Sequence, residues 1–207
     1  MHTEYKPELT LHLVDDDQGV RESMVTLFTA HGLRVQAHES GEAFLQHAPL
    51  HKADCVLLDL RMQGMSGLQV LQALQQQASP LVVVFLSGHG DIPTAMEATH
   101  RGAFDWLVKG MPEADLLAKV DAAMQHAAAQ ALLLHKRSEV VARWNTLTPR
   151  EKDVARLVRN GWSNKLVADE LHIGVRVVEG YRAKVFDKLW VNNPTELDRL
   201  LREHPVA

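Results

Sequence analysis

"LHLVDDDQGV", Leu11–Val20, joins an apolar run to three consecutive aspartates, Asp15, Asp16 and Asp17. Adjacent carboxylates repel one another, so a fold that keeps them needs a cation or hydrogen-bond donors at that spot. A short apolar run ending in turn formers reads as a buried strand with its polar end at an edge. The helical pattern that begins at Gln18 makes Asp17 a natural N-cap, which leaves Asp15 and Asp16 without a local purpose.

The same unit recurs along the first half. Apolar runs "LTLHLV" (9–14), "LRVQA" (33–37), "CVLLDL" (55–60), "LVVVFL" (81–86) and "FDWLV" (104–108) alternate with amphipathic stretches. These lie at 18–31, 41–47, 67–77 and 92–101, with one more starting at Glu113. Regular alternation of buried strands with helices implies βαβ units and a parallel sheet. The expectation is an α/β doubly wound domain with a five-stranded parallel sheet over residues 1–125.

No Gly or Pro interrupts the chain from Glu113 to Arg143, and Ala, Leu and Gln dominate it. As a helix it spans roughly 45 Å, longer than one cover helix of the sheet needs. Residues 126–145 are therefore expected to form a long helical linker, in which Leu132–Leu134 and Val140–Val141 pack on the second domain or on another copy. Beyond it, Thr148, Pro149 and Glu151 make a capping box with proline at the first helical position. Gly161 ends that helix, and Ser163, the Ile173–Gly174 turn and Pro194 set off three more. Residues 146–207 read as a small all-α domain.

Composition fits two jobs. Net charge is −8 over residues 1–124 and +4 over residues 125–207. The basic half suits a polyanion, although such a balance is also found on ordinary surfaces. Hydrophobic residues make up 46% of the chain, enough for packed cores, which excludes wholesale disorder. The single cysteine, Cys55, allows no internal disulfide and fits a reducing compartment. The start "MHTEYKPEL" has no apolar signal core, and no run approaches the roughly 18 apolar residues of a membrane span. A cytoplasmic protein that does not enter a membrane is expected. The twelve histidines form no ligand pattern with Cys55, which reads as a buried, inert thiol.

Ligands of an open parallel sheet bind beyond the C-terminal ends of its strands. The first strand ends in Asp15 and Asp16, the third in Asp59, the fourth in Ser87 and the fifth in Lys109. Three carboxylates on one edge call for a hard cation such as Mg²⁺, which takes one or two carboxylates with waters and phosphate oxygens. Lys109 and Ser87 are then placed to hold phosphoryl oxygens.

These stretches carry a resemblance. "VDDDQGVR", "LLDLRMQGMSG", "LSGHGDIP" and "GAFDWLVKG" together resemble the receiver domain of two-component response regulators. "LTPREKDVARLVRNGWSNKLVADELHIGVRVVEGYRAKVFDKLWV" resembles the LuxR-type helix-turn-helix domain, and the pair is similar to the NarL/FixJ family, FixJ-like regulators above all. The resemblance implies that a sensor histidine kinase phosphorylates Asp59, with Asp16 and Asp59 ligating Mg²⁺ and Asp15 beside the metal. It makes Ser87 and Trp106 the switch pair and Lys109 the phosphoryl contact. The fourth helix, fifth strand and fifth helix would form the dimerising face. The homodimer would bring two recognition helices to promoter DNA with two half-sites. On such a helix, about Val175–Leu189, Val178, Val185 and Leu189 face inward while Glu179, Gly180, Ala183 and Lys184 face the groove. Arg182, Lys184 and Lys188 are candidates for phosphates. The protein would be a phosphoacceptor with at most self-dephosphorylation, not a turnover enzyme.

The chain departs from the family pattern at five positions. Gly110 follows Lys109 where a cis proline is usual, so a trans bond is expected. Gln63 replaces a proline, Gly174 a capping Ser, Val177 a Thr, and Trp190 the Gly that closes the recognition helix. Gly110, Gly174, Val177 and Trp190 leave a second expectation, a protein-interaction regulator with weak or lost sequence-specific DNA binding and atypical phosphorylation control. A Mg²⁺-dependent phosphohydrolase is the third.

Overall fold

The computed structural model describes residues 5–88 and 100–206. The helical stretch expected at 92–101 and the "HGDIP" part of its motif fall almost wholly outside the described residues. The chain divides into two compact units, residues 1–133 and 134–207.

The first unit is built on β1 (Leu11–Val14), β2 (Val35–His38), β3 (Cys55–Asp59), β4 (Val82–Ser87) and β5 (Asp105–Val108). All pair in parallel in the order β2-β1-β3-β4-β5. Among the described residues its helices are α1 (Gln18–Ala30), α2 (Gly41–His47), α3 (Gly67–Gln76) and the start of α4 (Glu113–Asn145). Side chains alternate across each strand; β1, β3 and β4 are buried on both faces, while the edge strands β2 and β5 are partly exposed. Leu11, Leu13, Leu57 and Val84 pack with Phe28 of α1 and with Leu116, Val120, Ala123 and Ala127 of α4. Val14, Val56, Leu58 and Phe85 pack on the other face with Phe44 of α2 and Val70, Leu71 and Leu74 of α3. Asp17 caps α1, its side chain accepting the Val20 amide at 3.0 Å, as its place in the sequence implies.

Gly67 shows how tightly this core holds the edge. A Cβ there would lie 2.4 Å from the Asp59 carbonyl oxygen and 2.9 Å from Phe85 Cε1. Only glycine lets the start of α3 pack directly on the end of β3.

The second unit holds the end of α4, then α5 (Pro149–Arg159), α6 (Asn164–Leu171), α7 (Val175–Leu189) and α8 (Pro194–Glu203). Thr148 and Glu151 form the expected capping box, and Ser163 caps α6. The stretch 126–145, expected as a linker, is continuous helix within α4. Val140 is 2% exposed, and Trp144, 3% exposed, belongs to the core formed with Val154, Val178 and Leu197. Ala127 belongs to the core of the first unit. The two ends of this stretch are buried, and Leu132, Leu133 and Leu134 between them are exposed.

Candidate functional site: a carboxylate edge and an exposed helix face

At the C-terminal edge of the sheet, Asp15 follows β1 and Asp59 ends β3; they are 1% and 6% exposed, whereas Asp16 is exposed. Each offers an oxygen within 4.8 Å of the others. Among the described residues it is the one such cluster of metal-ligating groups. The Asp17 amide donates to Asp15 Oδ1 at 3.0 Å, and the Gln63 amide donates to Asp16 Oδ2 at 2.9 Å. Lys109, next after β5, reaches in with Nζ 2.6 Å from Asp15 Oδ2 and 3.2 Å from Asp59 Oδ2.

One ammonium faces three carboxylates. Burial pushes the Asp59 carboxyl above its usual range and Asp15 adds to the rise, while Lys109 only partly offsets them. Burial also works against the charge of Lys109, but Asp15 and Asp59 together outweigh it and hold the ammonium protonated. The donor set is all oxygen, its charge is in excess, and the buried Asp15 Oδ2 has no well-aligned hydrogen bond. Those features fit a hard divalent cation such as Mg²⁺.

The bond between Lys109 and Gly110 is trans, and Gly110 has φ +86°. Proline, fixed near −65°, cannot adopt that conformation. Lys109 therefore reaches the carboxylates through a positive-φ glycine. The Lys109 amide also donates to the Ser87 carbonyl at 2.8 Å, which sets buried Ser87 beside the cluster. Trp106 is half-buried, with its ring 5.7 Å from that of Phe85, and among the described residues its buried indole Nε1 has no hydrogen-bond partner.

In the second unit, α6 and α7 are joined by a turn through His172, at φ +54°. Val178, Val185 and Leu189 are buried on the inner face of α7, while Glu179, Gly180, Ala183 and Lys184 are exposed. Arg182 donates to Asn164 Oδ1 at 2.5 Å and lies 5.5 Å from the Phe186 ring. Lys188, a candidate for phosphate in the sequence, has partners within the fold. Its Nζ donates to buried Glu151 Oε2 at 2.7 Å and to the Thr146 carbonyl at 3.1 Å, so the charge is used inside the fold. That hydrogen bond, together with the amide of Thr148, holds the Glu151 carboxyl below its usual range. Trp190 takes the left-handed C-cap position at φ +57°, with the Arg143 guanidinium 4.4 Å over its ring.

Two family models match the chain: the response regulator receiver domain over residues 11–121, and the luxR family of bacterial regulatory proteins over residues 145–201. The chain belongs to the two-component response regulators. The transcriptional regulatory protein FixJ of Azorhizobium caulinodans is 39% identical over 93% of this chain and 91% of its own. The tetrathionate response regulatory protein TtrR of Salmonella typhimurium is 39% identical over 92% and 90%. The solved structure of the response regulator StyR matches with a TM-score of 0.82 and 31% identity, covering 95% of this chain and all of that one.

In this response regulator the receiver brings together Asp15, Asp16, Asp59 and Lys109, with Ser87 alongside. Two further groups shape the same edge and had no signal in sequence. Glu42 Oε1 accepts the Met65 amide at 2.8 Å, and Arg21 Nη1 donates to the Asp15 carbonyl at 2.7 Å. A buried chain of polar groups lies deeper in the receiver. His12 Nδ1 is 3.1 Å from His38 Nε2, and His12 Nε2 is 3.6 Å from Asp54 Oδ2. Burial and its histidine neighbours His12 and His47 push His38 down to about 4. Cys55 is buried, its thiol pushed up to about 12 by burial, as an inert core thiol requires. Among the described residues, no helix is long and apolar enough to cross a membrane.

Proposed function

We propose that Asp59 accepts a phosphoryl group from the phosphohistidine of a sensor kinase, and that the luxR-type domain binds promoter DNA in response. The observation that carries this is the position of Asp59: a buried carboxylate 3.2 Å from Lys109 Nζ and within reach of Asp15 and Asp16. An Asp59 oxygen attacks phosphorus, the P–N bond breaks, and its electron pair returns to the imidazole ring. Lys109, held protonated, pairs with a phosphoryl oxygen. The Ser87 hydroxyl turns toward another, and Trp106 reports that movement to its face of the receiver. Asp15, Asp16 and Asp59 would hold Mg²⁺, which when bound neutralises charge on the phosphoryl oxygens.

Phosphorylation then favours a homodimer, which sets two α7 helices against two half-sites. Lys184 meets phosphate, while Glu179, Gly180 and Ala183 face the groove. Lys188 is assigned to the fold, because Glu151 already holds its ammonium. Arg182 keeps its place through Asn164. The whole process belongs to the cytoplasm, where kinase domains and DNA are both present.

Treating the full chain with acetyl phosphate and Mg²⁺ is expected to add the mass of one phosphoryl group, and Asp59→Asn to abolish it. An adduct that survives Asp59→Asn overturns the assignment. For DNA, genomic fragments pulled down by the phosphorylated protein at stated salt are expected to be discrete sites, lost in Lys184→Ala. Uniform background would favour the protein-interaction reading, to which the engagement of Arg182 and Lys188 within the fold lends support.

A further inference from the structure

The recognition helix exposes an apolar start. Val175 and Val177, the first and third residues of α7, are 42% and 49% exposed. β-Branched residues are mediocre helix formers, and neither valine joins the core of this domain. Local structure and packing therefore leave Val177 without a structural task. Helical spacing places it on one stripe with Gly180 and Lys184, three and seven residues on. Gly180 and Ala183 are exposed, and nothing lies within 4 Å of where a Gly180 Cβ would be.

The polar groups nearby are already spoken for or are charged. Arg182 is held by Asn164 and Lys188 by Glu151. Lys184 ends the stripe, and Arg176 and Glu179 flank it as exposed charges. In a helix-turn-helix the N-terminal residues of the second helix meet base edges in the major groove. One feature of that groove is apolar: the C5-methyl group of thymine. A branched aliphatic side chain between cationic neighbours matches a methyl group set among phosphates.

We infer that Val177 is a specificity-determining residue that reads the C5-methyl of a thymine in each half-site, with Lys184 and Arg176 anchoring the flanking phosphates. The inference rests on the DNA-binding reading above and names the chemistry that the helix reads. It predicts operators with a thymine at a fixed position of each half-site, discriminated from cytosine by its methyl group as well as its pairing edge.

The test uses the full-length phosphorylated protein and duplexes selected from a random pool. Each thymine of the selected site is replaced in turn by deoxyuridine, which removes only the methyl group. Replacement at one position per half-site is expected to weaken binding about fourfold, the factor for burying one methyl group. In Val177→Ala that sensitivity should vanish while salt-dependent binding to the same duplex persists; Val177→Ile should retain it. Both substitutions lie on an exposed helix face, so folding is spared, and circular dichroism confirms it. Selected sites without a fixed thymine, or binding indifferent to deoxyuridine at every position, overturn the inference and leave DNA binding intact. Methyl sensitivity that survives in Val177→Ala also overturns it. Failure to select any duplex overturns both readings together.

Discussion

Removing the proposed phosphoacceptor's charge should stabilise the protein. Asp59 stands within 4.8 Å of oxygens of Asp15 and Asp16. With an effective dielectric constant near 20, each like-charge pair at that distance costs about 3.5 kcal/mol. The ammonium of Lys109, 3.2 Å from Asp59, returns about 5 kcal/mol on the same scale. The balance runs against the ionised carboxylate by about 2 kcal/mol, and burial adds to it. Exposed Asp16 is screened by water, so the expected gain for Asp59→Asn is about 1–2 kcal/mol at pH 7 in EDTA. In urea this appears as a midpoint higher by roughly 0.5–1 M with an unchanged m-value. Amide exchange in β1 and β3 assigns the change to the receiver.

The pH dependence has a definite sign. The folded-state pKa of Asp59 is raised above the usual 3.8, so ionisation costs stability as pH rises through the raised value. The advantage of Asp59→Asn is therefore full at neutral pH and disappears below the unfolded value. Mg²⁺ acts in the opposite direction, since it binds the folded wild-type site and stabilises it by mass action. Titrating Mg²⁺ should close the gap and then reverse it. A variant no more stable than wild type in EDTA at pH 7 would refute the charge balance.

Lys188→Met should destabilise the luxR-type domain by about 1.5–3 kcal/mol, the worth of a hydrogen bond to a charged group, since it strands the buried Glu151 carboxylate. Because Glu151 has a lowered pKa, its contribution is present above pH 4.5 and is lost as pH falls through the folded value; the variant's urea midpoint should change less over that window. Lys184→Ala, by contrast, should leave the midpoint within about 0.5 kcal/mol of wild type and weaken DNA binding. Gly110→Ala should cost only about 1–2 kcal/mol of backbone strain, because its Cβ meets nothing within 4 Å, while Gly110→Pro should dislodge Lys109 and slow phosphorylation by acetyl phosphate. Cys55 should resist labelling by a thiol reagent at pH 8 until urea unfolds the receiver, given its burial and a thiol pushed up to about 12.

What the sequence discloses here is burial and position along the chain; what it conceals is partnership. β1 and β3 are buried on both faces, so their residues form unbroken apolar runs, and parallel pairing then obliges Asp15 and Asp59 to meet at one edge. Thr148 and Glu151 were equally legible, because a capping box is complete within four residues. Lys188 was not. A lysine near the end of a helix looks the same whether its ammonium meets a phosphate or a carboxylate 37 residues earlier. The end of α4 was legible only in outline: its helical period fits a linker or a core face, and only the packed second unit shows Trp144 in a core. The substitution of glycine for proline after Lys109 has the clearest physical content. The family pattern ties the lysine's approach to a cis bond, yet at φ +86° the trans chain brings Nζ to both carboxylates. The geometry that the proposed chemistry needs is the placement of one ammonium, and here a left-handed glycine accompanies it.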